Sequence, residues 1–342
     1  MLKIIGVFVC FFWYILSFSQ IAYSYSAFVY DIKDGSILMA KDELVKIYPA
    51  SITKIMTINL AIEAIKNQKI GIYDKIKISQ NAQNQERTNA GLIQNEEISM
   101  KNLLLLTSMI SANDAACAVG EAIGNDSIAN FTQMMNQKSN ELKMYGTNFT
   151  NATGLHNEDQ YSTTQDLAIM MKFFAESNTG YLGILNSGGL FFKGKNYQPK
   201  NPVGQNYKCI RSFKTGFTSK AGYNIIAYLS CKDYNIIANI INFQNPHQRD
   251  LYLSEILNYA VQKIGELKHK DSKNFYLIED KLSIASYGLY LISSSIFFNF
   301  TLLEKDNTLD VISGIKNKIY NDYFENHFAY LVNSTMPFPK KP

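Results

Sequence analysis

In the N-terminal part of the chain, apolar residues recur at helical spacing directly after a proline. Between residues 55 and 65 the apolar side chains recur three or four positions apart, which predicts a helix. Pro49 disfavours helical backbone in the residue before it, so we expect this helix to begin at Ala50 or Ser51. Apolar spacing and cap residues predict further helices over residues 103–110, 115–122, 131–145 and 249–264, and a helix start over 162–168.

Short apolar runs bounded by turn residues predict strands before and after these helices. Asp34-Gly35 separates the runs 27–31 and 37–40, and this dipeptide is a strong signal for a β-hairpin. Three longer runs joined by short connections predict one antiparallel sheet, with strands over residues 207–214, 223–230 and 234–241. The pattern as a whole predicts an α+β protein.

The composition indicates a globular protein and does not by itself indicate a function. With 342 residues the chain can hold one large domain and a smaller one, and 46% hydrophobic with 18% charged residues is typical of globular proteins. The net charge of +4 is too small to indicate a nucleic-acid partner, and no basic run is interleaved with aromatic residues.

The first 24 residues have the pattern of a secretory signal. Lys3 precedes an uncharged, largely apolar run that ends in small residues near Ser24. We expect cleavage after Ser24, with an uncleaved membrane anchor as the alternative, because about 20 apolar residues can just span a bilayer. The working part of the protein would then lie outside the cytoplasm.

Cysteine spacing predicts neither a zinc site nor a disulfide framework. Beyond Cys10 in the signal, three cysteines remain, and no C-x-x-C pair or histidine cluster accompanies them. Cys209 and Cys231 flank a predicted hairpin, yet we expect them to stay unpaired.

Residues 25–265 are predicted to form the main domain, and residues 266–342 a C-terminal segment. The uncharged, serine-containing stretch 282–303 suits β-structure better than a membrane span. Apolar residues at helical spacing over 315–331 predict a terminal amphipathic helix. Its mixed charges favour packing on the domain over peripheral membrane contact.

Ser51 and Lys54 form the first candidate for chemistry. The two residues lie one helical turn apart, so that an ammonium or amine can reach the hydroxyl, at a helix start whose backbone N–H groups lack partners. A nucleophile, a base and donors for an oxyanion would thus meet. A lone S-x-x-K, however, also occurs by chance as a helix cap followed by a solvated lysine.

Two further motifs follow in the chain. Ser111-Ala112-Asn113 lies between two predicted apolar helices, where a capped helix junction is an equally good interpretation. Lys214-Thr215-Gly216 falls at the end of a predicted strand, where the lysine offers a cation and the glycine permits close approach to the backbone. His156 would suit a Ser-His-Asp hydrolase, but no G-x-S-x-G surrounds Ser51, which favours an ordinary loop residue.

With these three motifs in order, residues 26–262 resemble the serine-type D-alanyl-D-alanine carboxypeptidases, the low-molecular-mass penicillin-binding proteins. The resemblance implies a penicillin-binding-protein/β-lactamase-like transpeptidase fold, with an antiparallel sheet flanked by helices plus a helical subdomain. Gly154-Leu155 also resembles family sequence. Four positions depart from the family pattern: Asn95, Ala112, Arg211 and Ser212.

The resemblance implies roles for eight residues. Ser51 would attack the terminal D-Ala-D-Ala bond of a peptidoglycan stem pentapeptide, with Lys54 as base and Ser111 as proton relay. The substrate would be bound by Asn113, Lys214, Thr215, Gly216 and the backbone N–H of Phe217. The resemblance implies no metal or cofactor, acylation of Ser51 by penicillin, and a location in the periplasm or cell envelope.

Three alternatives share some of these features. A D,D-endopeptidase acting on peptide crosslinks would carry the same residues. A serine β-lactamase needs an acidic loop residue, for which Glu158-Asp159 is the only suitable pair, and the asparagine that should follow is absent. A non-catalytic peptidoglycan-binding protein should have lost one of the reactive residues.

Overall fold

The computed structural model describes residues 25–86, 88–186, 189–198 and 209–271. The strands are β1 Ser26–Asp31, β2 Ile37–Lys41, β3 Lys75–Lys77, β4 Glu97–Ser99, β5 Leu190–Phe192, β6 Lys195–Tyr197, β7 Ile210–Thr218, β8 Gly222–Ser230 and β9 Asn235–Phe243. The helices are α1 Lys54–Lys66, α2 Gln80–Gln83, α3 Met100–Met109, α4 Asn113–Ile123, α5 Ile128–Glu141, α6 Thr164–Ser177 and α7 Pro246–Asp271. Within these residues no helix is long and apolar enough to cross a membrane.

A five-stranded antiparallel sheet in the order β2-β1-β9-β8-β7 forms the centre of the fold. Alternate side chains of its strands enter two cores, as expected for a sheet covered on both faces. One core lies with α7, and the other includes α1, α3, α4 and α6. The predicted α+β class, the Asp34-Gly35 hairpin and the antiparallel sheet are confirmed.

Strand β7 corrects one detail of the prediction. We expected Lys214-Thr215-Gly216 at the end of a strand, but β7 continues to Thr218 and carries the motif in its middle. The extension follows from the cross-strand pair between Phe217 and Tyr223, whose rings stack with centroids 4.2 Å apart. Because β7 is at the edge of the sheet, one side of its backbone faces away from β8.

The expectation that Cys209 and Cys231 stay unpaired is wrong. The two residues form a disulfide with Cα atoms 5.3 Å apart. The register of β7 and β8 is the physical cause, because the backbone N–H of Ser230 donates to Cys209 O over 2.9 Å and so places Cys231 beside Cys209. Cys117 is a buried free thiol.

Loss of this disulfide should lower stability. The bond closes a loop with a sequence separation of 22 residues, and restricting such a loop in the unfolded chain contributes about 3 kcal/mol. We expect the double variant Cys209→Ser/Cys231→Ser to lose about that free energy of unfolding, measured by urea denaturation. A reducing agent should destabilise the native chain and leave the double variant unchanged; equal stability of the two chains without reductant would contradict the prediction.

Three expectations lie outside the described residues. They are the signal at residues 1–24 and the β-structure and helix predicted beyond residue 281. Helix α7 continues past residue 265 to Asp271, and the division of the chain at that point stays a prediction.

Candidate active site

The turn that carries Ser51 is a short 3-10 helix over Ala50–Thr53, and α1 begins only at Lys54. The helix therefore starts as predicted near Ala50 but with tighter geometry. Ala50 has φ +48°, a left-handed conformation that costs a non-glycine residue about 1 kcal/mol. Ser51 thus projects from a strained turn at the N-terminal end of a long buried helix, a place where strain is typical of functional sites.

Lys54 is fully buried, and its Nζ contacts three oxygen atoms. Ser51 Oγ lies 2.9 Å away, Asn113 Oδ1 accepts a hydrogen bond over 2.7 Å, and the carbonyl oxygen of Thr153 accepts another. The asparagine and threonine oxygens can only accept, so they take the two hydrogens of a neutral amine. Its lone pair is then directed at the Ser51 hydroxyl, which is the arrangement that a general base needs.

The surroundings favour that neutral form. Burial lowers the pKa of Lys54 well below its ordinary value, and the nearby Lys214 cation lowers it further. The carboxylate of Asp114 acts in the opposite direction.

A second lysine–serine pair lies beside the first. Lys214 Nζ donates to Ser111 Oγ over 2.9 Å and to Thr215 O over 2.9 Å. Ser111 has φ +60°, which turns the chain sharply between α3 and α4. Ala112, where the family usually has glycine, has φ −59° and ψ 122°, a conformation open to any L-residue, so the departure is tolerated.

Arg249 is a residue of this site that the sequence did not reveal. It lies at the start of α7, is nearly buried, and is paired with Asp250 at 2.6 Å. Burial, followed by the Arg249 charge, lowers the pKa of Lys214 to about 7. No motif surrounds Arg249, so only the packing of α7 on the sheet brings its charge close to Lys214.

The lowered pKa of Lys214 predicts how stability depends on pH. In the unfolded chain the lysine titrates at its ordinary value, so between pH 7 and pH 10 the unfolded state binds more protons. The free energy of unfolding should therefore rise with pH, by about 1.4 kcal/mol per pH unit for one such group. Urea unfolding at pH 7.5 and pH 9 measures this slope, and Lys214→Met should have a smaller one; equal slopes would contradict the prediction.

Gly216 allows β7 to approach the nucleophile turn. A Cβ at this position would lie 3.0 Å from Pro49 O, 3.0 Å from Ser51 N and 3.1 Å from Ala50 Cβ. The backbones of the third and first motifs are therefore in direct contact. This contact brings the next residue, Phe217, close to Ser51, although the Phe217 side chain itself is half exposed.

A loop over residues 151–160 contributes the Thr153 carbonyl to the site. Asn151 Oδ1 accepts hydrogen bonds from the backbone N–H groups of Thr153 and Gly154, over 3.1 and 2.7 Å, and so shapes the turn that presents the Thr153 carbonyl to Lys54. Gly154 has φ +80° and lies against the backbone of Ala50. Sequence reasoning noted Gly154-Leu155 only as a family resemblance and missed the Thr153 carbonyl.

The same loop carries three residues that the sequence analysis considered for other enzyme classes, and all three are exposed. His156 is exposed, as expected of a loop residue, and its ring contacts Tyr48 with centroids 4.8 Å apart. Glu158 and Asp159 are both exposed, in the turn that follows.

The chain is similar in sequence and in fold to known proteins. Residues 18–245 match the Peptidase_S11 family model, described as D-alanyl-D-alanine carboxypeptidase. The D-alanyl-D-alanine carboxypeptidase DacF of Bacillus subtilis is 31% identical over 243 residues, which are 69% of this chain and 61% of that protein. A D-alanyl-D-alanine endopeptidase of Haemophilus influenzae is 28% identical over 71% of this chain and 82% of its own length.

Among solved structures, penicillin-binding protein 5 of Haemophilus influenzae is 28% identical, with a TM-score of 0.64 over 70% of each chain. The predicted penicillin-binding-protein fold is thereby confirmed. The chain spans about three fifths of the length of the Bacillus relative. A family match over more than half of the sequence shows that this chain belongs to the Peptidase_S11 family of D-alanyl-D-alanine carboxypeptidases.

Proposed function

We propose that this chain is a serine D-alanyl-D-alanine carboxypeptidase that removes the terminal D-alanine from peptidoglycan stem pentapeptides. The observation that carries the proposal is the buried Lys54 amine, which lies 2.9 Å from Ser51 Oγ while two oxygen acceptors bind its hydrogens. Membership of the carboxypeptidase family supports the substrate.

In the proposed acylation, Ser51 Oγ attacks the carbonyl carbon of the last peptide bond and its proton passes to Lys54 Nζ. The backbone N–H groups of Ser51 and Phe217 stabilise the oxyanion, which the close approach of β7 to the nucleophile turn supports. The C–N bond then breaks, and the leaving D-alanine amine takes a proton by way of Ser111.

Substrate binding is assigned to the remaining residues. Lys214 and Thr215 bind the terminal carboxylate, and a pKa of about 7 leaves Lys214 partly charged at neutral pH, so an arriving carboxylate favours its cation. Asn113 holds the peptide amide, and Gly216 lets β7 lie against the nucleophile turn, so that a substrate bound along the edge of β7 is close to Ser51. Water then hydrolyses the Ser51 ester and releases the tetrapeptide. Penicillin would acylate the same oxygen.

A D,D-endopeptidase acting on crosslinks is the second candidate, since one relative carries that name. Two muropeptide substrates separate the activities, with products followed by mass. A muramyl pentapeptide should lose one D-alanine, and a crosslinked dimer should stay intact. Cleavage of the dimer into monomers without release of D-alanine from the pentapeptide would favour the endopeptidase. No reaction with either would contradict both.

The proposed location is the periplasm or cell envelope. The apolar pattern of residues 1–24 supports export, and the proposed peptidoglycan substrate supports the same location. Peripheral membrane contact through residues 315–331 stays the less favoured alternative to packing of this segment on the domain.

A further inference from the structure

Asp114 is a buried carboxylate directly beside the active-site Asn113, and the mechanism above does not use it. It is only 1% exposed. Its two oxygens accept hydrogen bonds from the backbone N–H of Ala90 at 2.9 Å, of Leu92 at 3.0 Å and of Ala115 at 2.8 Å. One side chain thus ties the first turn of α4 to the segment over residues 88–92.

Residues 86 and 88, just before and at the start of that segment, fix the position of Asn113. The Asn113 backbone N–H donates to Thr88 O over 2.6 Å, and Asn113 Nδ2 donates to Glu86 O over 2.9 Å. Because the amide nitrogen is bound to a backbone carbonyl, the amide oxygen must point the other way, where it accepts from Lys54 Nζ over 2.7 Å. A shift of this stretch would release the amide group to rotate.

Asp114 also acts on the site by charge. Among the described residues, the charged groups that influence Lys54 are Lys214 on β7, which lowers its pKa, and Asp114 on α4, which raises it. Farther along α4, the Cys117 thiol feels both Asp114 and Glu121, and its pKa is raised. Asp114 thus opposes the effect that burial and Lys214 have on the pKa of Lys54.

We infer that Asp114 is a positioning residue for the reaction, which holds the Asn113 amide in the orientation that accepts from Lys54 and sets the pH range in which Lys54 acts as a base. The inference rests on the proposed function, in which Lys54 activates Ser51. The hydrogen bonds of Asp114 are to backbone N–H groups and not to a substrate site. Asp114 therefore acts on the reaction through the position of Asn113 and through its charge.

The test is the pH dependence of Ser51 acylation by a fluorescent penicillin in the full chain and in Asp114→Asn. Loss of the negative charge lowers the pKa of Lys54 further, so more of the amine is neutral at low pH. The acidic limb of the acylation rate should therefore move to lower pH by about one unit. At the optimum the rate should fall about tenfold or more, because a misplaced group loses catalytic efficiency.

Asp166→Asn is the matched control. Asp166 is also buried and accepts from Gly146 N at 2.8 Å and Thr147 Oγ1 at 2.7 Å, but it does not act on Lys54. The control should lower the melting temperature and keep the acidic limb of the native chain. An unmoved limb in Asp114→Asn, or the same shift in both variants, would overturn the inference.

Two other outcomes separate the inference from the proposed function. If the native chain is acylated yet releases no D-alanine from pentapeptide, the carboxypeptidase proposal fails. The pH dependence of the acylation rate then still tests the positioning role of Asp114. If the native chain is not acylated at any pH, the inference is overturned, since it requires an activated Ser51. If Asp114→Asn does not fold, Asp114→Ser, a smaller acceptor without charge, should show the same shift of the limb.

Discussion

Replacement of Lys54 by methionine should reduce the rate of Ser51 acylation by about 10³-fold, the contribution expected of a general base. Methionine has similar length and suits a buried site, so the change removes the amine while largely filling its volume. Two acceptors, Asn113 Oδ1 and Thr153 O, lose their donor, while the cost of burying an amine disappears. We expect a folded protein that binds penicillin but reacts slowly, measured by the time course of labelling with a fluorescent penicillin.

Lys66→Met is the control for this substitution on the same helix. Lys66 is exposed and lies at the opposite end of α1 from Lys54. It donates hydrogen bonds to Ser177 O and Asn178 Oδ1. This variant should acylate at the rate of the native chain. Lys54→Met with a native acylation rate would show that another group takes the Ser51 proton.

Replacement of Gly154 by alanine should damage both stability and reactivity. The added Cβ would lie 1.9 Å from the carbonyl oxygen of Ala50 and 3.0 Å from Ser51 N, and these are backbone atoms that no rotamer change can move. The φ of +80° adds the cost of a left-handed L-residue. We expect the free energy of unfolding to fall by about 3 kcal/mol.

The same variant should acylate about 10²-fold more slowly, because displacement of the 151–160 loop moves the Thr153 carbonyl away from Lys54. Gly35→Ala separates the clash from the conformational cost, since Gly35 has φ +81° but no atom within 4 Å of an added Cβ. It should lose only about 1 kcal/mol and keep its acylation rate. Equal behaviour of the two variants in urea denaturation and in labelling would contradict this account.

The pair of Ser51 and Lys54 and the pair of Ser111 and Asn113 were predictable because each is local in sequence. Helical spacing alone places Lys54 one turn after Ser51, and Ser111 and Asn113 lie together at the junction between two predicted apolar helices. The order of the three motifs then indicated the family, and the fold followed from the family. The contact between Lys214 and Ser111, 103 residues apart, was not predicted.

The rest of the site depends on contacts that no local pattern records. The disulfide of Cys209 and Cys231 follows from strand register, and Arg249 reaches the site only because α7 packs on the sheet. Backbone conformation is equally hidden. Asn95 stands where the family usually has glycine, and its φ of +66° explains the preference, since asparagine tolerates this left-handed conformation better than most residues.

The most direct test of the central claim is the site of penicillin attachment. Trypsin should release residues 47–54 as one peptide, because Lys46 and Lys54 bound it and Ser51 lies within it. After brief exposure of the full chain to benzylpenicillin, we predict one adduct per chain, located on that peptide and absent from Ser51→Ala. An adduct on Ser111 or on another residue, or one that persists in Ser51→Ala, would contradict the assignment of Ser51 as the nucleophile.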